Sequence, residues 1–154
     1  MESPEKIGRT YFTSRFTHGV DEKRRLAIPA RWRPEESGTE LTLVVWPKAK
    51  EGPCLRVLPP EKMADLMRDI DSMPSSDPNK GVLKRVIGGK SMQVTLDSVG
   101  RICLPEDMAK AAGIKAEAVL VGLLDRFEIW SPDRYAKVAV ADEIMAQEAF
   151  KLME

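Results

Sequence analysis

The sequence predicts an α+β fold dominated by β-strands, in which two tandem repeats share one hydrophobic core. Three observations favour this fold: a short motif occurs twice, apolar residues alternate with polar ones over short segments, and a proline opens each of two helical stretches. A repeat of roughly 75 residues made of short strands would bury too little apolar surface to be stable alone. The two halves are therefore expected to pack together.

The duplicated motif defines the repeats. "VDEKRRLAIP" begins at Val20 and "LDSVGRICLP" begins at Leu96, and the two copies match at a constant offset of 76 residues. Each copy has an Asp four residues before an Arg, followed by two alternating apolar positions and a Pro. We predict a first repeat over residues 1–71, a linker over 72–81 and a second repeat over 82–154. The linker prediction rests on "DSMPSSDPNKG", whose Pro, Ser, Asp and Gly residues are typical of a flexible connection.

Each repeat is predicted to run strand, turn, strand, short helix, strand, hairpin, strand, helix. Alternating apolar residues mark four of the strands: Leu26/Ile28, Leu55/Val57, Ile102/Leu104 and Phe127/Ile129. The apolar runs "LTLVVW" and "AVLVGLL" predict one further strand in each half, and "PKAKEGP" predicts a longer turn in the first.

Two helices are predicted to begin at Pro60 and Pro132, because a first helical turn tolerates the missing N–H of proline. Apolar residues then recur at helical spacing: Met63, Leu66, Met67 and Ile70 in the first helix, and Tyr135, Val138, Ala141, Met145, Ala149 and Leu152 in a second helix of about twenty residues. Such stripes usually face the core. The length of the last helix also allows a contact between subunits.

Charge and residue usage exclude several classes of protein. Lys and Arg number 24 and Asp and Glu number 24, so a uniformly basic coat for nucleic acid is excluded and any polyanion must bind a local patch. Cys54 and Cys103 form no metal-binding motif and are expected to be reduced and buried. His18 is the only histidine, so we expect no catalytic site, no metal site and no cofactor. The N-terminus lacks an export pattern and no apolar run approaches the roughly 20 residues of a membrane span, which predicts a cytoplasmic protein.

The motif itself suits a cationic turn. Its Asp can accept hydrogen bonds from backbone N–H groups two residues on, and Gly100 allows a positive φ in the second copy. Arg25 and Arg101 begin the following strands, and their guanidinium groups suit phosphate or the edge of guanine. Each arginine could instead simply pair with its own Asp.

The first copy favours the anion-binding alternative, because "KRR" at residues 23–25 places three cations in succession. Arg15, Arg31 and Arg33 are expected to extend this patch. The second copy is less basic, since Ser98 and Val99 replace the acidic and basic residues of the first.

The segments "DEKRRLAIPARWR", "DSVGRICLP" and "VLVGLLDRFEIWSPDRY" together resemble the MraZ family of bacterial transcriptional regulators, from about Tyr11 to Tyr135. This resemblance implies two fused AbrB-type units whose swapped β-hairpins form a pseudo-twofold barrel with flanking helices. It further implies a homo-oligomeric ring, located on the nucleoid, that binds direct repeats in double-stranded promoter DNA upstream of a division and cell-wall gene cluster.

Transferred by position, the resemblance identifies the DNA-binding residues as Asp21, Arg25, Asp97 and Arg101, with Lys23 and Arg24 as helpers. The family usually has Gly where Arg24 stands. The first turn must therefore either adopt another geometry or hold Arg24 in a left-handed conformation, at a cost of about 1–2 kcal/mol.

A protein-binding scaffold without DNA binding is the alternative function. Its support is the eight methionines, several of them on the helical stripes, because methionine-rich surfaces adapt to partners. Salt discriminates the two functions, since phosphate binding weakens linearly in log K against log salt concentration.

Overall fold

A computed structural model describes residues 11–47 and 50–154. Over these ranges the chain forms eight strands and four helices: β1 (Arg15–Gly19), β2 (Arg25–Ala27), β3 (Leu41–Trp46), β4 (Cys54–Leu58), α1 (Pro60–Asp71), α2 (Pro78–Gly89), β5 (Ser91–Val94), β6 (Arg101–Cys103), α3 (Glu106–Ala111), β7 (Glu117–Gly122), β8 (Phe127–Trp130) and α4 (Pro132–Phe150). Short 3-10 turns cover Ala30–Trp32 and Lys151–Met153. The predicted β-rich α+β class is confirmed. The predictions for the N-terminal segment and for positions 48 and 49 of the long turn fall outside the described residues.

The strands form two antiparallel sheets, and the strand order of each is symmetric between the two halves of the chain. The larger is a six-stranded sheet of order β1-β7-β8-β4-β3-β5, and the smaller is the two-stranded ribbon β2–β6. Strand β1 of the first half pairs with β7 of the second, and β5 of the second half pairs with β3 of the first. The halves thus exchange edge strands around the central pair β4–β8. A closed barrel and the AbrB-type assignment stay predictions.

Buried side chains from both halves form the main core cluster. The eight residues of the alternating patterns are at most 1% exposed, as predicted: Leu26, Ile28, Leu55, Val57, Ile102, Leu104, Phe127 and Ile129. Aromatic rings fill the centre of the cluster, where Trp32 packs edge-on against Phe12 and Phe16 with centroids 5.9 and 5.4 Å away. The inward faces of β2 and β6 therefore hold the ribbon against the core.

Helices α1 and α4 begin at Pro60 and Pro132 as predicted, and α4 is 19 residues long. The core interpretation of the stripe on α4 is correct only near its start. Val138 is buried, whereas Met145 on α4 and Leu152 in the 3-10 turn that follows it are exposed. Within the described ranges, none of the helices is both long and apolar enough to cross a membrane.

Helix α2 has no counterpart in the predicted order of elements. It begins at Pro78, inside the stretch predicted as a linker, and the Asp77 carboxylate caps it by accepting from the Asn79 N–H at 2.9 Å. Its side chains and those of α1 line an apolar groove with a volume of about 320 Å³, whose walls include Met63, Leu66, Met67 and Ile87.

Candidate nucleic-acid interface

The first copy of the motif forms a tight hairpin turn, here called tip 1 (residues 21–25). Asp21 Oδ1 accepts from the backbone N–H groups of Lys23 at 2.9 Å and Arg25 at 2.8 Å, and its Oδ2 accepts from Arg25 Nε at 2.7 Å. Its own N–H donates to the Arg25 carbonyl oxygen at 3.2 Å. One carboxylate therefore fixes both the turn and the arginine side chain that follows it.

The second copy, tip 2 (residues 97–101), repeats these bonds. Asp97 Oδ1 accepts from the N–H groups of Val99 at 3.0 Å and Arg101 at 2.9 Å, and Oδ2 accepts from Arg101 Nε at 2.9 Å. Gly100 has a φ of 86°, the positive value that the sequence predicted. The turn lock inferred for the motif is thus confirmed in both copies.

These hydrogen bonds keep both carboxylates ionised. The backbone N–H of Arg25 is the largest cause that lowers the pKa of Asp21 below its usual 3.8. Burial, the next largest effect, raises this pKa, and the Arg25 side chain lowers it further. The backbone N–H and side chain of Arg101 lower the pKa of Asp97 in the same way. Each tip therefore carries a fixed carboxylate charge beside its guanidinium at neutral pH.

The pairing of each arginine with its own Asp leaves part of the guanidinium available. The ion pairs Arg25–Asp21 and Arg101–Asp97 are both present, and the arginine side chains are 37% and 33% exposed. Among the described residues, the side chains of both arginines hydrogen-bond through Nε alone, so their paired Nη groups remain free to donate to an anion. An exposed pair of this kind contributes little to stability, because water screens it. Its main effect is to orient the guanidinium.

The ribbon β2–β6 brings the two arginines to one surface. Its register pairs Arg25 with Cys103 and Ala27 with Arg101, and these four side chains share the outer face, called here the ribbon face. The alternate residues, Leu26 and Ile102, are buried on the inner face. Arg25 and Arg101 are diagonal neighbours, which places their Cα atoms about 7–8 Å apart. The sequence identified both arginines but not their convergence, because nothing in the two local motifs specifies that β2 and β6 pair.

Arg24 occupies the left-handed position of tip 1 with a φ of 61°. The second of the two alternatives drawn from the sequence is therefore the one observed, with its cost of about 1–2 kcal/mol. Its side chain is half-buried, and its Nε donates to the Leu104 carbonyl oxygen at 3.0 Å.

The cations expected to extend the patch are placed differently from one another. Lys23 and Arg31 are exposed. Arg15 lies over the ring of Tyr135 at 5.5 Å, and half-buried Arg33 donates from Nε to the Ile28 carbonyl oxygen at 2.8 Å.

The burial predicted for the cysteines is correct for Cys54 and wrong for Cys103. Cys54 is buried, whereas Cys103 is exposed on the ribbon face, where its thiol donates to the Lys23 carbonyl oxygen at 3.3 Å. The strand period explains the error, since Ile102 occupies the inward position of β6 and the next residue must face outward. Within the described ranges, no group of three or more His, Cys, Asp or Glu side chains could hold a metal ion.

Comparison with known proteins identifies the family to which this chain belongs. The family described as "MraZ protein, putative antitoxin-like" matches residues 88–151. The "Transcriptional regulator MraZ" of Thermomicrobium roseum is 35% identical over 137 residues, which cover 89% of this chain and 91% of that protein. The proteins of the same name from Roseiflexus sp. and Parvibaculum lavamentivorans are 32% and 31% identical over 130 residues, covering 84% of this chain and 87% and 81% of theirs. Because the similarity spans most of both sequences in each case, this chain belongs to the MraZ family.

Proposed function

We propose that this chain is a sequence-specific DNA-binding transcriptional regulator whose ribbon face lies against double-stranded DNA. The observation that carries the proposal is the convergence of Arg25 and Arg101 on that face, each held through Nε with its Nη groups free. The name shared by its relatives, transcriptional regulator, supports the same function.

A two-stranded antiparallel ribbon fits the major groove of B-DNA, which is about 12 Å wide. The free Nη pairs suit bidentate contact with phosphate or with guanine, and exposed Lys23 suits a neighbouring phosphate. Asp21 and Asp97 serve by orienting the arginines, since a carboxylate turned toward phosphate would repel it. Arg24 completes the proposed set of site residues.

The proposed assembly is a homo-oligomeric ring that binds direct repeats upstream of the division and cell-wall gene cluster, on the nucleoid in the cytoplasm. A ring compensates for the zero net charge of each subunit, because several ribbon faces on successive repeats raise affinity through effective concentration. A ring needs two different surfaces that fit each other. Two apolar surfaces meet this need: the α1–α2 groove and the exposed residues at the end of the chain, Val140, Ile144, Met145, Phe150, Leu152 and Met153. We propose that the chain end of one copy occupies the groove of the next.

Replacement of Arg25 tests the DNA contact. We expect Arg25→Ala to weaken binding to a fluorescent promoter fragment from upstream of its own gene by about tenfold, and to lower the salt slope by roughly 0.9. Arg68→Ala is the matched control, since Arg68 is an exposed arginine of α1 that pairs with Asp65. Fluorescence anisotropy over a salt series measures both variants. Unchanged binding by Arg25→Ala contradicts the proposal.

Tip 2 is proposed to contribute less than tip 1. Ser98 and Val99 carry no charge, and Glu35 and Glu36 line the same surface hollow as Ser98 and Asp97, so phosphate approaches a more acidic surface there. Arg101→Ala should therefore reduce affinity less than Arg25→Ala does in the same titration. The reverse order would contradict this ranking.

The exposed thiol on the ribbon face offers an independent test. Cys103 lies directly opposite Arg25, whereas Cys54 is buried and serves as the internal control. We expect promoter DNA to slow alkylation of Cys103 by iodoacetamide severalfold at low salt and not at high salt, as mass spectrometry of the labelled peptide would measure. Equal rates with and without DNA would place the ribbon face outside the complex.

Oligomerisation is tested by mass-resolved chromatography with and without the promoter fragment. Ile144→Asp places a charge on the exposed apolar surface of α4 and should dissociate the assembly into smaller species with weaker DNA binding. An unchanged mass contradicts the proposed contact. A stable oligomer that does not bind the promoter fragment at any salt concentration would favour the scaffold function instead.

A further inference from the structure

Two backbone carbonyls at equivalent positions of the repeats each receive a guanidinium group. Arg24 Nε donates to the Leu104 oxygen at 3.0 Å, and Arg33 Nε donates to the Ile28 oxygen at 2.8 Å. The N–H groups of the same two residues bond across the ribbon, Leu104 to the Arg24 oxygen and Ile28 to the Gly100 oxygen, both at 2.9 Å. These two pairs of hydrogen bonds are therefore matched between the tips.

The guanidinium comes from a different part of the chain at each tip. Tip 1 supplies it from its own left-handed residue, Arg24. Tip 2 has Gly100 at that position, and a Cβ built on Gly100 would overlap the guanidinium of Arg33. At the offset of the repeats, the counterpart of Arg33 is Ala109. At tip 1 the turn residue is Arg24, and Ala109 stands at the position that corresponds to Arg33. At tip 2 the turn residue is Gly100, and Arg33 supplies the guanidinium.

We infer that Arg33 is the positioning residue of tip 2, and that it acts on DNA binding through Arg101 rather than by touching DNA itself. This inference rests on the proposed function. Arg33 packs over Gly100, and its Nε binds the carbonyl oxygen of Ile28, one residue beyond the end of β2. The N–H of that same Ile28 donates to the Gly100 oxygen, so a contact and a chain of two hydrogen bonds hold the turn that orients Arg101 from the opposite repeat. Arg24 has the equivalent part in tip 1, since its Nε reaches across to Leu104.

A double-mutant cycle separates positioning from direct contact. We expect Arg33→Ala and Arg101→Ala each to weaken promoter binding, by up to about tenfold. In the Arg101→Ala background, Arg33→Ala should cause less than about a twofold further loss, because the residue through which it acts is already absent. A direct phosphate contact would instead multiply the two losses and lower the salt slope by a further 0.9 or so, and that result would overturn the inference.

Two further variants test the geometry. Arg33→Lys keeps the charge but loses the planar Nε donor, so it should bind DNA as weakly as Arg33→Ala. Gly100→Arg combined with Arg33→Ala moves the guanidinium to the tip itself, as Arg24 has it, and should restore affinity to within about threefold of the unmodified chain. Full binding by Arg33→Lys, or no recovery in the combined variant, would contradict the proposed role.

Amide hydrogen exchange without DNA tests the structural part of the inference, that Arg33 holds tip 2, independently of the proposed function. Arg33→Ala should speed exchange of the Ile28 N–H at least severalfold and leave the equivalent Leu104 N–H of tip 1 unchanged, because only tip 2 loses its guanidinium. Unchanged exchange at Ile28 overturns the inference, even if the chain binds DNA. Absence of DNA binding by the unmodified chain overturns the proposed function. In that case the exchange rate of the Ile28 N–H still tests whether Arg33 holds tip 2.

Discussion

The ion pair between Arg56 and Glu128 is predicted to contribute more to stability than any pair at the tips. Glu128 Oε2 accepts from Arg56 Nη2 at 2.7 Å and Nε at 3.1 Å, and its Oε1 accepts from the Trp130 indole at 3.0 Å. The side chains are only 17% and 6% exposed. The Arg56 guanidinium also lies over the Trp46 ring at 4.3 Å. The pair sits on the central strands β4 and β8, where water screens it little.

Arg56→Met removes the charge and the donors while keeping a long apolar side chain. The buried carboxylate then retains only the indole bond, and loss of one partner of a buried pair costs about 3–5 kcal/mol. For a chain of this length each kcal/mol lowers Tm by about 2–4 °C, so we expect a fall of roughly 6–20 °C. Arg101→Met is the control, because its ion pair with Asp97 is a third exposed and its loss should lower Tm far less.

Urea unfolding followed by tryptophan fluorescence measures these differences in the free energy of unfolding. The double variant Arg56→Met/Glu128→Gln should be more stable than Arg56→Met alone, because no unpaired charge is left and the amide oxygen introduced by Glu128→Gln would still accept from the Trp130 indole. A cost below about 1 kcal/mol for Arg56→Met, or costs that simply add in the double variant, would refute the reasoning.

Two further predictions concern the dependence of stability on pH and the effect of two Gly→Ala substitutions. The pKa of Asp21 and of Asp97 is lowered from 3.8 on folding, so the stability that these ionised carboxylates contribute is present above pH 3.8. It is lost as the pH falls through the lower pKa of the folded state. An NMR titration of the tip amides with a midpoint at or above 3.8 would contradict this. A Cβ on Gly122 would meet the Thr13 backbone nitrogen at 2.8 Å, whereas one on helical Gly88 meets nothing within 4 Å. In thermal melts, Gly122→Ala should therefore destabilise the fold, and Gly88→Ala should stabilise it by about 0.5–1 kcal/mol. Equal effects of the two substitutions would show that the space around the added Cβ does not decide their effect on stability.

Local features of the fold were predictable from the sequence. The alternation that includes Leu26 and Phe127 marked buried strand residues correctly, and Pro60 and Pro132 marked helix starts correctly. The motif Asp predicted a turn lock that the hydrogen bonds confirm. Each of these depends on residues within a few positions of one another, and that is the range over which strand period, helix start and turn chemistry act.

Features that depend on distant residues were not predictable. Met145 lies on an apolar stripe that was expected to face the core, and it is exposed. Cys103 is a different case, because the period of β6 already places it outward although it was expected to be buried. Helix α2 was missed because "DPNKG" reads equally well as a turn and as the capped start of a helix. The exposure of Met145 was set by which surface the rest of the chain covers.

The sequence by itself determined the two repeats, their strands and the chemistry of each tip, because these follow from local periodicity and from hydrogen bonds between near neighbours in the chain. Only the tertiary structure decided that the halves exchange edge strands, that β2 pairs with β6, and that the Arg33 guanidinium lies over Gly100 at tip 2. Pairing between two strands that lie in different repeats depends on the shared core, and no local pattern specifies it. That pairing places Arg25 and Arg101 on one face.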